Sequence, residues 1–504
     1  MHLSPVRLSP DLTSPLNPES WPFDLRHLPP TAHLVGGIVR DALLQRQGDY
    51  LDLDIVLPTA AVETAQALAK HYRAGFVVLD AKRHIARVVF DRATVDFALQ
   101  EGQDLETDLG RRDFTVNAIA YNPHSQTLID PLNGYRDLQA QCLRMISPTN
   151  LQDDPLRLLR AYRQAAQLQF AIDPATIQTI TTLAPKLGQI AAERVQSELN
   201  ALLQHPQGVP WLRAAWQAGL FQSWLPSLDA TAIAHLEQID HGAKALMEHW
   251  PDLVPSFQQA IPLTRKESSP RTGLALAKLA VVLSRRDDRA EKEWQVLKGS
   301  RAEIRAVGLL RRLQPQLQPM ADHPLSIRQQ YLLFQAAQGL LPVLALLALT
   351  EPGQGCFCQT LGRPTGQGTW AGSRSGASAS VAAVAPMGEP GTTPGVGAPQ
   401  AVIAAGQTSG SRSTQAQPTQ AQSDSTAGDW RSDIFGLIDR FLNPQDPVAH
   451  LKPLVSGQDL IQTLQLKPGP QIGQLLTELH IAQAEGQIGT KAEALALAAT
   501  WSPD

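Results

Sequence analysis

Strand-like patterns are confined to one part of the chain, and this separation constrains the fold more than any other feature. Between Ala32 and about Arg144, short apolar and β-branched runs alternate with helix-like segments. The strand-like runs are residues 33–36, 51–57, 76–79, 86–90 and 94–99, and the helix-like segments are 38–46 and 60–71. From about Leu151 to Leu349, amphipathic Leu-, Ala- and Gln-rich segments follow one another. The sequence therefore predicts an α+β fold, in which a head with a small mixed sheet precedes an all-helical region.

A low-complexity segment divides the chain near its C-terminal end. Residues 351–428 are mainly Gly, Ser, Thr, Ala, Gln and Pro, and such a composition cannot bury enough apolar surface to offset the entropy of ordering. A compact helical pattern returns between Trp430 and Trp501. We therefore predict five parts. They are an irregular lead-in (1–30), the head (31–145), a helical neck and body (146–350), a disordered linker (351–428) and a C-terminal helical module (429–504).

The bulk composition excludes several classes of protein. The 504 residues carry a formal net charge of −4, so nucleic-acid binding would have to depend on local arginine clusters. Three cysteines are too few for a disulfide framework, and the pair Cys356 and Cys358 lacks the second ligand pair of a zinc site. The apolar stretch 340–349 is too short to cross a membrane, and the N-terminus has no apolar core of a signal peptide. We expect a cytoplasmic protein without a membrane partner, and no pattern indicates its oligomeric state.

Two adjacent glycines, Gly36 and Gly37, stand where a strand-like run gives way to a helix-like one. Glycines let the backbone turn sharply and approach a ligand, and the N-terminus of a helix offers free N–H groups to phosphate. Arg40 follows one turn into the helix and can reach the same phosphate. The alternative is an ordinary strand-to-helix turn, since paired glycines are common.

Three acids lie in strand-like runs. Asp52 and Asp54 alternate with apolar residues, so their side chains share one face of a strand. Two like charges side by side repel unless a cation lies between them, and carboxylate oxygens suit Mg²⁺. Asp96, in the run 94–99, can complete a two-metal catalytic site. The alternatives are a solvated strand face for the pair and an edge-strand charge for Asp96.

A third motif runs from Arg111 through Arg112 and Asp113 to Asn117. The two arginines offer paired donors to phosphate. Asp113 and Asn117 are four residues apart, so on a helix they share a face and can bind a ribose hydroxyl. The alternative is a helix N-terminus whose acid stabilises the helix dipole.

A fourth motif begins at Asp154 and Pro155, which suit the start of a helix. One face of this predicted helix carries the polar residues Asp153, Arg157, Arg160 and Gln164, with Asp154 at its margin. The opposite face, which we expect to be buried, carries Leu159, Tyr162 and Ala166. Arg163 lies off the polar stripe. The alternative for the stripe is a salt-bridged surface.

The four motifs together resemble, in type and order, those of class II tRNA nucleotidyltransferases and bacterial poly(A) polymerases. The segments 129–138 and 193–199 are similar to the same family, and 454–495 is similar to the C-terminal module of some tRNA nucleotidyltransferases. Each motif alone is weak, but their ordered combination is specific. The resemblance implies a polymerase-β-type head followed by a helical neck, body and tail that bind RNA. It also implies that the partners are the tRNA 3′ end, CTP and ATP.

The resemblance implies a role for each candidate residue. Asp52 and Asp54 would bind Mg²⁺. The residues expected around the triphosphate and ribose are Gly36, Gly37, Arg40, Arg111, Arg112, Asp113 and Asn117. Asp154 and Arg157 would act as a protein template that bonds the base edge of CTP or ATP, while Arg160 and Arg163 would contact phosphate.

Two departures from the family pattern bear on the product. Asp153 stands where many relatives have glutamate, which is a mild change. The segment 97–110 is shorter than the flexible loop of many CCA-adding enzymes, so we predict addition of C residues with little or no terminal A. The alternatives are a poly(A) polymerase and, from another class, an inactive RNA-binding protein. Retention of Arg40, Asp52, Asp54 and Arg112 argues against the inactive protein.

Overall fold

A computed structural model describes residues 6–7, 14–46, 48, 50–261, 271–317, 324–352, 430–465 and 468–501. Except for Glu351 and Pro352, the predicted linker lies outside these residues. Cys356 and Cys358 also lie outside them. The prediction of a disordered linker therefore concerns a part of the chain that the structure does not describe.

The head contains an eight-stranded mixed sheet with the strand order β1-β8-β7-β2-β3-β6-β5-β4. Its strands are β1 (Val6–Arg7), β2 (His33–Val35), β3 (Leu51–Leu57), β4 (Gly75–Asp80), β5 (Ile85–Val89), β6 (Ala93–Leu99), β7 (Ala120–Asn122) and β8 (Thr127–Ile129). Strands β3 and β6 pair in parallel, and this register places Asp54 opposite Asp96. The other neighbours in this sheet are antiparallel. The central parallel pair therefore brings two of the predicted acids together.

The five strands predicted from the sequence are confirmed as β2 to β6. The sheet is larger than predicted, because β1, β7 and β8 join one edge of it. These three strands have two or three residues each, too few to show an alternating pattern. All three residues of β7 are buried, which removes the polar–apolar contrast that marks a strand.

The helices of the head are α1 (Gly37–Leu43), α2 (Ala61–Tyr72), α3 (Leu105–Gly110) and α4 (Gly134–Gln139). Those of the neck and body are α5 (Pro148–Asp153), α6 (Leu156–Leu168), α7 (Pro174–Leu183), α8 (Ala192–Gln204), α9 (Gly208–Gln217), α10 (Ala230–His249), α11 (Val254–Gln258), α12 (Gly273–Val282), α13 (Asp287–Val296), α14 (Arg301–Leu313), α15 (Ile327–Ala337) and α16 (Leu341–Leu349). Those of the C-terminal module are α17 (Trp430–Leu442), α18 (Gly457–Leu464), α19 (Pro470–Ala484) and α20 (Lys491–Thr500). One short exception interrupts the helical region, where β10 (Ala171–Ile172) pairs in parallel with β9 (Cys142–Leu143).

The N-terminal segment packs on the head although it has little regular structure. Its described residues 14–30 form two 3-10 turns, Pro18–Ser20 and Leu25–His27. Trp21 and Phe23 are buried, and the Phe23 ring stacks on Phe90 at 6.1 Å between ring centroids. Residues 14–30 therefore add to the apolar core of the head.

The apolar stretch near the end of the body is longer than its sequence suggested. Helices α15 and α16 are joined by a 3-10 turn into a stretch of 23 residues, Ile327–Leu349, that is long and apolar enough to cross a membrane by length and composition alone. However, 72% of its most apolar window is buried inside the protein. Every residue of α16 is buried. Burial of this kind is typical of a core helix, as predicted for 340–349.

The buried His235 of α10 is expected to make the stability of the body depend on pH. Its Nε2 lies 3.0 Å from the Thr350 hydroxyl, which itself donates to the Leu346 carbonyl oxygen at 2.6 Å. Because the Thr350 hydroxyl hydrogen is used in this bond, the His235 Nε2–H donates to the Thr350 oxygen. Burial, followed by the charges of Arg311 and Arg285, lowers the pKa of His235 to about 3.

Protonation of His235 in the unfolded chain should therefore weaken the fold as the pH falls below about 6.5. We expect the free energy of unfolding to drop by about 1.4 kcal/mol between pH 7.5 and 5.5 from this group alone. Urea denaturation at both pH values should show a smaller drop in His235→Gln than in the wild type. An equal drop in both proteins would contradict this account.

Candidate active site

Two carboxylates project from the centre of the sheet. On β3, Asp52 is exposed and Asp54 is half-buried, whereas Leu53 and Ile55 between and beyond them are buried, as predicted. The Thr94 hydroxyl donates to Asp52 from the neighbouring strand. Burial, then the negative charges of Asp52 and Asp96, raise the pKa of Asp54 to about 6. A cation between the two carboxylates would relieve this repulsion, so the pair fits a divalent metal ion.

The third predicted acid is engaged elsewhere. The antiparallel register of β5 and β6 sets Arg87 opposite Asp96, and its guanidinium donates to both Asp96 oxygens at 2.7 Å. No group of three His, Cys, Asp or Glu side chains in the described part of the chain is arranged to hold a metal ion. In this conformation Asp96 contributes negative charge to the site, and its carboxylate is bound by Arg87.

The glycine turn lies directly over the acids. Gly36 has φ 74° and ψ −138°, a conformation that side chains rarely adopt. A Cβ atom at Gly36 would lie 3.2 Å from Asp54 Oδ2 and 3.4 Å from Arg112 Nη1. Gly37 begins α1, and Arg40 in this helix donates to Asn117 Oδ1 at 2.7 Å and to both carboxylate oxygens of Asp41. The glycine turn therefore lies against Asp54, Arg112 and Arg40.

The Arg111–Asn117 motif is not helical as predicted. Residues 111–113 form a turn and a bend, Phe114 makes an antiparallel β-bridge with Met145, and Thr115–Asn117 is a 3-10 helix. Asp113 Oδ1 accepts from the backbone N–H of Phe114 at 2.8 Å. Asp113 Oδ1 also accepts from the Asn117 amide at 2.9 Å, so the two side chains do meet. Arg112 contacts the buried Asp108 at 3.2 Å and points to the acids, whereas Arg111 points away and pairs with Glu101 at 2.7 Å.

The predicted base-reading residues lie at a break between two helices. Helix α5 ends at Asp153, so Asp153 is not part of the polar face of α6. Asp154 follows the break, and both of its carboxylate oxygens accept from Arg194, at 3.1 and 2.8 Å. Arg157 Nη1 donates to the backbone carbonyl oxygens of Arg111 at 2.7 Å and Asn150 at 3.1 Å.

The polar face of α6 packs on the head. Gln164 is buried, and its Oε1 accepts from the Asn117 amide at 2.9 Å. Arg160 lies 3.3 Å from Asp113 and joins the same cluster, whereas Arg163 pairs with Glu198 of α8. The opposite face is buried as predicted, through Leu159, Tyr162 and Ala166. The stripe is therefore an interface between head and neck, with Arg163 outside it.

Three residues of the site were missed in the sequence. Arg87 and Asp108 orient Asp96 and Arg112, and Arg194 orients Asp154. The alternating pattern of residues 85–89 predicts a strand from which the Arg87 side chain projects. It does not identify the residue that this side chain binds. Arg194 lies in the segment 193–199 that resembles the family, although its partner is forty residues away.

A carboxylate pair, a glycine turn that opens a helix and converging arginines define a nucleotidyltransferase of the polymerase-β type. Three known protein families, all of this class by their descriptions, match successive parts of the chain. A "Poly A polymerase head domain" matches residues 32–144, a "Probable RNA and SrmB- binding site of polymerase A" matches 169–231, and a "tRNA nucleotidyltransferase domain 2 putative" matches 438–499.

Individual relatives identify the family within this class of nucleotidyltransferases. A "CC-adding tRNA nucleotidyltransferase" of Synechocystis sp. is 43% identical over 95% of both chains, and an "A-adding tRNA nucleotidyltransferase" of Deinococcus radiodurans is 30% identical over 94% of this chain and 96% of its own. A solved CCA-adding enzyme in its apo form shares the fold, with a TM-score of 0.60 at 18% identity over 92% of this chain and 89% of its own. The chain belongs to the tRNA nucleotidyltransferase family. Nucleotidyltransferases of this family generally use divalent metal ions.

Proposed function

We propose that this chain adds the two C residues of the CCA end to tRNA from CTP, with release of pyrophosphate. The observation that carries the proposal is the 43% identity, over 95% of both chains, to a CC-adding enzyme. The short connection between Asp96 and Arg111 supports it. A tRNA acceptor and the free thiol of Cys142 both fit a cytoplasmic enzyme.

In this proposal Asp52 and Asp54 hold Mg²⁺, which would polarise the α-phosphate and stabilise the leaving pyrophosphate. The residues of this chain bind and orient the reactants. Gly36 and Gly37 let the backbone approach the triphosphate, and Arg40 and Arg112 neutralise its charge. Asp113 and Asn117, which are hydrogen-bonded to each other, bind the ribose.

The base is read by protein side chains. Cytosine presents an exocyclic amine beside two acceptors, so the Asp154 carboxylate accepts from the amine while Arg157 donates to N3 and O2. Arg157 must leave the carbonyl oxygens of Arg111 and Asn150 for this purpose. Arg160 and Arg163 bind phosphate, and the helical body and the C-terminal module bind the tRNA.

Two other activities have specific support. The full-length similarity to an A-adding enzyme, at 30% identity, favours addition of the terminal A. Poly(A) polymerase I of Haemophilus influenzae is 33% identical, but over 40% of this chain and 49% of its own. Against it, residues 438–499 match a domain of tRNA nucleotidyltransferases. An inactive RNA-binding protein would not need a carboxylate and two arginines placed against the glycine turn.

The proposal is tested by supplying labelled nucleotides to purified protein with Mg²⁺. We expect labelled CTP to be incorporated into tRNA that lacks its CCA end, and labelled ATP to be incorporated poorly into an unstructured RNA. Processive A addition to the unstructured RNA would favour the poly(A) polymerase. No incorporation on any acceptor would favour the inactive protein.

A further inference from the structure

The carboxylate of Asp154 is held by an arginine that has no assigned role. Arg194 Nη1 and Nη2 donate to Oδ1 and Oδ2 of Asp154 at 3.1 and 2.8 Å, and the Leu156 backbone N–H approaches Oδ1 at 3.4 Å. Arg157, three residues away, donates instead to two backbone carbonyl oxygens. Arg194 is therefore the residue that orients Asp154.

Helix α8 provides a fixed base for Arg194. Val195 and Leu199 of this helix are buried, at 0% and 1% exposure, so its backbone is anchored in the core. One turn after Arg194, Glu198 binds Arg163 of α6. Two ion pairs thus join α8 to the segment that carries Asp154 and Arg157. In one pair α8 supplies the cation, Arg194, and in the other it supplies the anion, Glu198.

Paired bonds from a planar guanidinium fix both the position and the plane of a carboxylate. A carboxylate accepts about four hydrogen bonds, so the Arg194 pair leaves sites free for another donor. Burial opposes ionisation of Asp154, but the hydrogen bonds and charge of Arg194 keep its pKa below the usual value. An ionised carboxylate accepts from the amine of cytosine and repels the carbonyl oxygen that uracil carries at the same place.

We infer that Arg194 is a positioning residue for base choice, which holds the Asp154 carboxylate where it accepts a hydrogen bond from the exocyclic amine of the incoming nucleotide. This inference rests on the proposed function, in which Asp154 reads the base. Arg194 itself does not contact the nucleotide. Its side chain is 49% exposed, so its replacement should leave the fold intact.

The test compares Arg194→Gln with the wild type on tRNA that lacks its CCA end. We expect the preference for CTP over UTP, as the ratio of kcat/KM values, to fall roughly ten-fold or more. The rate with a pyrimidin-2-one nucleoside triphosphate, which lacks the amine, should change little. Arg194→Lys keeps the charge and one donor, so its preference should lie between the two proteins.

Glu198→Gln is the matched control, because it breaks the other ion pair between α6 and α8 without touching Asp154. Its preference for CTP over UTP should equal that of the wild type. An equal loss of rate in Arg194→Gln for CTP, UTP and the amine-free analogue would assign Arg194 a merely structural role and overturn the inference.

Asp154→Asn separates the inference from the proposed function. If Asp154→Asn loses the preference while Arg194→Gln keeps it, Asp154 reads the base and the inference about Arg194 is wrong. If Asp154→Asn keeps the preference, the base-reading role itself fails.

Discussion

Alanine at either Asp52 or Asp54 is expected to lower nucleotide addition by more than about 1,000-fold. The two carboxylates share a strand face, and burial, followed by the charges of Asp52 and Asp96, raises the pKa of Asp54 to about 6. Binding of a metal ion explains why two carboxylates that repel each other lie side by side. Removal of one charge relieves the repulsion, so the variants should unfold at a temperature no lower than the wild type.

The matched control for the acids is Asp91→Ala, since Asp91 is exposed in the turn that precedes β6. It should retain wild-type activity. The rate of nucleotide addition is measured by single-turnover incorporation of CTP. The affinity for tRNA is measured by filter retention, and the stability of the fold by thermal unfolding. A folded Asp52→Ala/Asp54→Ala double variant with near-normal turnover would exclude the proposed mechanism.

Conversion of tRNA ending in CC to CCA is expected to be roughly 100-fold or more slower than addition of the preceding C residues. A pocket that accepts both bases needs a second arrangement close in free energy, and mobile loops supply it most readily. The connection between Asp96 and Arg111 is short and has little conformational freedom. Its last part is α3, and the Glu101 backbone N–H donates to the buried Asp108 at 3.0 Å.

The same connection is held at two further points. Glu101 pairs with Arg111 at 2.7 Å, and the Asp104 side chain caps α3 by accepting from the Thr107 backbone N–H at 2.8 Å. Products made from tRNA that ends before the CCA sequence, after its first C and after its second C, with CTP and ATP supplied singly and together, should be sequenced at their 3′ ends. Efficient formation of CCA from CC with ATP would mean that the switching element lies elsewhere.

The sequence was sufficient for features that depend on neighbours along the chain. Alternation on β3 sets the two acids on one face, because side chains of a strand point alternately to opposite sides. The paired glycines mark the turn before α1, because Gly36 adopts a positive φ that other residues avoid. Both features are local, so one sequence shows them without any knowledge of the partner elements.

Tertiary structure decided which charged groups meet. Arg87 binds Asp96 because the β5–β6 register sets them opposite, and Arg194 reaches Asp154 because α8 packs against α6. The sequence pattern of the polar stripe of α6 is typical of a solvent-exposed face, yet Gln164 is buried against the head. A charged or polar side chain has the same local pattern whether its partner is water or a distant residue. That partner is set by packing, because the burial of apolar faces brings together segments far apart in the chain and polar groups buried with them must then find hydrogen bonds.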